Sequence, residues 1–170
     1  TTPFSVDHIL QLMNGVKTIH RSWVITNLAN KNLVPGDLST EQVRALLGGQ
    51  NDKGTVSAIT TLTDKELLQK DLPIKGVFTI LGALADDKRS FGSYHEQKYQ
   101  HRDNAIRVLL GNNTTAKSYI KTPLSVDDAT ALLKGVRHRA NLIAHLTDNK
   151  QITTPFSVDH ILQLMNGVKT

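Results

Sequence analysis

The 170-residue chain contains no cysteine, which excludes disulfides and thiolate metal sites. Both a reducing cytoplasm and secretion into a host cell as an unfolded chain would tolerate that absence. Aromatic residues make up only 5% of the sequence, so Leu, Ile, Val and Ala must do most of the packing, as in stacked helical hairpins. No apolar run reaches the roughly 18 residues of a membrane-spanning helix, and no charged-then-apolar leader is present, so no membrane partner is expected. P-loop, G-x-G-x-x-G, G-x-S-x-G and H-E-x-x-H patterns are also missing. Asp7-His8 and Asp159-His160 are adjacent in sequence, and helix neighbours do not face one another, so neither pair forms a dyad. An enzyme is not expected, nor is a cofactor.

What the chain does contain is repetition. Residues 1–18, TTPFSVDHILQLMNGVKT, recur letter for letter at 153–170, an offset of 152. With a start at Thr1, this fits a window on a longer tandem array of 152-residue units, with neighbouring units of the same chain as partners. The unit divides again. FSVDHILQLMNG (from Phe4), LSTEQVRALLGG (from Leu38), LPIKGVFTILGA (from Leu72) and LSVDDATALLKG (from Leu124) share a helix start followed by apolar positions at helical spacing. In the first copy these are Val6, Ile9, Leu10 and Met13, the stripe of a buried helix face. Ser5, Ser39 and Ser125 read as N-caps with Asp7, Glu41 and Asp127 in the first turn. Gly15, Gly49 and Gly135 stand where a C-terminal cap requires positive φ. This is helix A.

Helix B follows each time, its tail reading Ile25/Leu28, Ile59/Leu62, Ile106/Leu109 and Ile143/Leu146. Three copies carry a His-Arg pair in one frame: His20-Arg21, His101-Arg102 and His138-Arg139. Helix A starts are spaced 34, 34, 52 and 32 residues apart, including the start at Phe156. The predicted fold is all-α, a right-handed α-solenoid of stacked two-helix repeats of about 34 residues. The repeats span about 4–37, 38–71, 72–121 and 122–152, with the next unit starting at 153–170. The third repeat carries a polar insertion near 87–100 that includes Tyr94 and Tyr99. Trp23, the only Trp, is expected in the inter-repeat core, although its counterparts Asn104 and Asn141 are polar.

FSVDHILQLM is similar to the F-S-x-x-x-I-V-x-I-A helix starts of TAL-effector-like DNA-binding repeat proteins. LSTEQVRALL resembles their L-T-P-E-Q-V-V-A-I-A, and the frame continues over Lys53, Val56, Ile59 and Leu62. The resemblance covers residues 4–71 best and 124–152 in part. It implies a non-enzymatic repeat module that contacts double-stranded DNA. The family's Gly-Gly after its base-reading pair is missing at Gly15-Val16-Lys17-Thr18, at Gly49-Gln50-Asn51-Asp52 and at Gly135-Val136-Arg137-His138. The implied binding is therefore to the DNA backbone, without a base code.

The residues point to the same edge independently. Lys17, His20, Arg21, Lys53, Arg102, Arg137, His138 and Arg139 fall at A–B turns or helix B starts, which a solenoid aligns into a basic stripe suited to phosphates. Lys plus Arg exceed Asp plus Glu by 20 to 15. Replacing Arg21, Arg137 and Arg139 with Ala is expected to remove DNA binding and spare the fold. Two other readings stay open for these residues: a solvated surface, or His caps on turn carbonyls with Arg bridging to the adjacent hairpin. The alternative function is a protein–protein interaction scaffold within a large repetitive bacterial protein such as a secreted effector. No metal site is expected: His95, Glu96 and His101 are too few donors, and the stretch around Gly54 lacks the acids of a calcium loop.

Overall fold

The computed structural model describes residues 2–84, 101–111, 118–121, 123–136, 139–152 and 154–165. Among these residues the chain is all-α, with nine helices and no strand. The odd-numbered helices are the A helices: α1 (Val6–Met13), α3 (Thr40–Leu46), α5 (Ile74–Leu81), α7 (Val126–Leu133) and α9 (Val158–Met165). The even-numbered ones are the B helices: α2 (Thr18–Asn30), α4 (Asp52–Asp64), α6 (His101–Leu109) and α8 (Arg139–Asp148). The insertion expected near 87–100 lies outside the described residues.

Local chemistry sets the ends of the A helices. The Ser5, Ser39 and Ser125 hydroxyls accept from the backbone N–H groups of His8, Gln42 and Asp128 at 3.1, 3.2 and 3.1 Å. Gln42 Oε1 returns the bond by accepting from Ser39 N–H at 3.0 Å, completing a capping box. At the other end Gly15, Gly49 and Gly135 have φ of +86°, +71° and +88°, the left-handed values expected of them.

The B helices end in a second recurring turn. Asn32, Glu66 and Lys150 have φ of +59°, +55° and +55°. Each positive-φ residue is followed by an N–H that reaches back five residues: Leu33 to Leu28 O (2.8 Å), Leu67 to Leu62 O (2.9 Å) and Gln151 to Leu146 O (2.8 Å). This is the Schellman arrangement, and it satisfies carbonyls that the helix leaves orphaned. The same terminal residues then bind the start of their own repeat. Phe4, Leu38, Leu72 and Leu124 donate N–H bonds to the carbonyls of Leu33, Leu67, Tyr119 and Gln151 at 2.8, 2.9, 2.7 and 2.7 Å. Each hairpin is thus closed by a backbone clasp.

Like helices pack on like. Among the A helices α1 lies against α3, α3 against α5, and α7 against α9; among the B helices α2 lies against α4 and α4 against α6. Between them runs a core that includes Ile9, Met13, Ile25, Val43, Leu46, Ile59, Leu62, Val77, Ile80, Ile106, Leu132 and Leu146. Trp23 corrects the sequence reading, because it is exposed rather than in that core. Its position points outward in every repeat: Ser57, Asn104 and Asn141 are exposed as well. The face of α2 toward α4 is built instead from smaller groups, with Thr26 Oγ1 3.3 Å from Thr61 Oγ1.

The α3–α5 approach is close enough to demand a glycine. A Cβ on Gly76 would stand 2.5 Å from Thr40 Cγ2, and Thr40 is itself buried. Gly76→Ala is expected to destabilise the chain by about 1–3 kcal/mol through overpacking. Adding Thr40→Ser, which removes the offending methyl, should recover part of that loss. Urea unfolding of the two single variants and the double variant measures the coupling.

Candidate nucleic-acid interface

The eight residues expected to form a basic edge separate into three groups. Lys17, His20 and Lys53 are exposed. Lys17 is the N-cap residue of α2, without a side-chain cap bond, and Lys53 lies in the first turn of α4. The His20 ring stands 6.3 Å from that of Trp23, at a tilt of 52°. Arg137 and His138 lie outside the described residues.

The remaining three arginines turn toward helix ends. Arg21 donates from Nε to Val16 O and from Nη1 to Gly48 O, both at 3.3 Å. The first acceptor lies in its own A–B turn and the second just beyond α3 in the next repeat. Arg139 does the same between the fourth repeat and the helix that follows it, α9. Its Nε donates to Val136 O at 2.7 Å, and Nη1 donates to Leu164 O at 2.6 Å and Gln163 O at 3.3 Å, near the end of α9. Arg102 Nη1 donates to Leu81 O at 3.2 Å, at the end of the A helix in its own repeat.

A guanidinium suits these places for two reasons. The last carbonyls of a helix lack intrahelical donors, and the macrodipole concentrates partial negative charge there. Arg139 is only 5% exposed, and burial lowers its pKa from the usual arginine value. Its guanidinium is held in the joint between α8 and α9. Gly49 is required twice over at the Arg21 joint, since it has positive φ and a Cβ there would meet Arg21 Nη1 at 2.9 Å.

Two polar staples that the sequence reading missed tie the B-helix ends together. Tyr119 donates its hydroxyl to Thr63 O at 3.0 Å, at the end of α4. Gln151 donates from Nε2 to Leu110 O at 3.0 Å, at the end of α6. Tyr119 and Gln151 occupy the same place in their repeats, the residue whose carbonyl receives the repeat's first N–H. In the first two repeats that place holds Leu33 and Leu67, so no shared residue type marked it.

Grooves also open between neighbouring A helices. A groove of about 320 Å³ between α1 and α3 is lined by Asp7, Glu41 and Gln42 among others. A second, of about 380 Å³ between α7 and α9, is lined by Asp127, Thr130, Lys134 and Arg139 among others. Among the described residues no group of three His, Asp or Glu could hold a metal ion. His95 and Glu96 lie outside them. No helix of the described residues is long and apolar enough to cross a membrane.

Comparison with protein-family models, curated proteins and solved structures gave no match.

Two histidines are held below their ordinary pKa. For His145 the main cause is burial, assisted by Arg107 and opposed by Asp103 and Asp148. Asp103 is buried and accepts from Arg107 Nε at 2.8 Å. For His101 burial again dominates, opposed by Asp52 and assisted by Lys53. A histidine with a depressed folded pKa binds protons less readily when folded than when unfolded. Its stability contribution is full above the unfolded value of about 6.5 and is lost as pH falls through the folded value. Thermal unfolding should therefore move to lower temperature between about pH 7 and about pH 5. The double variant His101→Gln/His145→Gln should show a smaller shift over the same range.

Arg139→Met keeps much of the side chain's apolar stem and removes the charged donors. It is expected to cost about 2–4 kcal/mol in urea unfolding, because buried carbonyls lose charge-assisted bonds. Lys53→Met, on the exposed side, should change stability by less than about 0.5 kcal/mol.

Proposed function

We propose that this chain is a stretch of α-solenoid, in which two-helix repeats stack A on A and B on B, and that it acts as a non-enzymatic protein-binding scaffold. The observation that carries this reading is the direction of Arg21 and Arg139, each reaching from the start of one B helix to the end of the A helix in the following repeat. Side chains used this way set the register between repeats. Stacked repeats of this kind present long continuous faces, which suit extended partners. The TAL-effector-like resemblance of residues 4–71 agrees with such an array, and the right-handed winding expected from it belongs to this reading.

A protein partner is favoured over DNA for an electrostatic reason. Three of the arginines expected to meet phosphates are occupied by carbonyls, and the starts of the A helices carry Asp7, Glu41, Asp127, Asp128 and Asp159. Exposed protein-binding surface is available on α2, where Ile19 and Trp23 are 66% and 65% exposed. A large exposed aromatic beside an aliphatic is a common anchor in interfaces.

The second reading keeps the DNA backbone as partner through Lys17, His20 and Lys53. It is favoured by the exposure of both lysines at the starts of two helices, α2 and α4, that pack side by side. A titration of duplex DNA from about 50 to about 200 mM salt separates the two. The scaffold reading expects weak binding that Lys17→Ala/Lys53→Ala barely changes. Three phosphate contacts would instead give a slope of log K against log salt near about −3, lost in that double variant. That second outcome would replace the scaffold reading with the nucleic-acid one.

A further inference from the structure

Two joints between A helices, α1–α3 and α7–α9, start from the same local pattern and differ in charge. In each, the earlier helix has a serine cap with an acid two residues on: Ser5 and Asp7 on α1, Ser125 and Asp127 on α7. At the α7–α9 joint the chain supplies the partner for that acid. His160 Nε2 donates to Asp127 Oδ1 at 2.7 Å, and Lys134 and Arg139 line the same groove as Asp127.

The α1–α3 joint has no such supply. Both His160 and Gln42 stand three residues after their serine, so Gln42 is the counterpart, and its Oε1 is engaged with Ser39 N–H at 3.0 Å. Lys134 is replaced by Asn14, which does not line the groove. Asp7 on one wall and Glu41 on the other are exposed, and neither has an ion-pair partner among the described residues. The groove, about 320 Å³, is lined by no Lys, Arg or His, and its lining includes Val6, Leu10 and Ala45. Both walls are helices of the chain packed on each other, so the groove does not depend on an open end of the stack.

We propose that this groove binds an arginine side chain carried by a basic segment of a protein partner. The stem lies on Val6, Leu10 and Ala45, and the guanidinium is held between Asp7 and Glu41. An ammonium is a point charge, whereas the guanidinium fork can engage carboxylates on two walls while its stem keeps apolar contact. The bond from His160 to Asp127 shows the same column accepting a planar N–H donor from within the chain. Like charge opposes a nucleic acid or an acidic peptide in this groove. General charge attraction does not account for a basic occupant either, because the chain carries a formal net charge of +5. The inference rests on the protein-scaffold reading above and gives its partner a chemistry.

The test titrates acetyl-Ala-Arg-Ala-amide into the 170-residue chain at about 50 mM salt and follows backbone amide shifts by NMR. Shifts that saturate at millimolar peptide and are confined to Val6–Gln11 and Glu41–Ala45 are expected. Norleucine in place of the peptide's arginine keeps an apolar stem without charge and should weaken binding by about tenfold or more. Asp7→Asn/Glu41→Gln in the chain should do the same. Ala45→Leu fills the groove at an exposed position, leaves both acids in place and should weaken binding as well. Asp127→Asn, at the other joint, should leave it unchanged. Circular dichroism follows helix content, and if the double variant loses it, Ala45→Leu decides. Shifts that never saturate, that spread over acids elsewhere or that persist in a folded groove variant would overturn the proposal. Equal binding of the norleucine peptide would also overturn it, by showing generic apolar contact. None of these outcomes bears on the duplex titration, which reads Lys17 and Lys53 on the B helices, so failure here leaves the scaffold reading standing.

Discussion

Packing A helix against A helix brings the last carbonyls of α3 and α9 to a joint between repeats, and those carbonyls must find donors. An orphaned buried carbonyl costs free energy comparable to a lost hydrogen bond, and several lie close together at one helix end. Glycine caps help, since Gly15 and Gly135 turn the chain so that Val16 N–H and Val136 N–H reach Met13 O and Leu133 O. The local turn cannot supply the rest. Arg21 and Arg139 do so from outside the helix, and a planar fork of donors can reach two acceptors that belong to different repeats. The same side chain thus satisfies a helix end and fixes where the next hairpin sits.

The opposite edge handles the same constraint by other means. The helices α2, α4 and α8 end in Schellman turns, which satisfy carbonyls within the helix itself. A single neutral donor is enough there, the Tyr119 hydroxyl at Thr63 O and the Gln151 amide at Leu110 O. The first two repeats dispense with it and place Leu at that position. A charged donor thus serves the ends of A helices and a neutral donor the ends of B helices.

This division explains what could be read from the sequence. Helix starts and ends are local, since a serine hydroxyl reaches an N–H three residues on and a glycine's φ depends on its own backbone. The Ser39 cap and the positive φ of Gly49 were therefore legible. The partner of Arg21 was not, because Gly48 lies 27 residues away and only the packing of α1 on α3 brings it near. An arginine at the start of a surface helix reads the same whether it faces a phosphate or a carbonyl. The positive φ at Glu66 and Lys150 was equally hidden, since these residues normally avoid that region at a cost of about 1 kcal/mol. Trp23 was misplaced despite a usable signal: Ser57, Asn104 and Asn141 mark its position as outward-facing, and a repeat should be read by column before any single residue is judged by type.

Column reading also decides how exposed apolar residues are interpreted. Leu12 and Trp23 are similarly exposed, yet their columns differ. Trp23 belongs to a column that faces water in every repeat, so a neighbouring hairpin would not cover it, and an apolar group there is available to a different kind of partner. Leu12 belongs to a column that is buried at Leu46, Ile80, Leu132 and Leu164, so an apolar side chain is the rule at that position rather than the exception. One protein therefore shows two apolar surfaces with different meanings. The distinction comes from comparing equivalent positions along the stack, which the chemistry of either side chain alone could not supply.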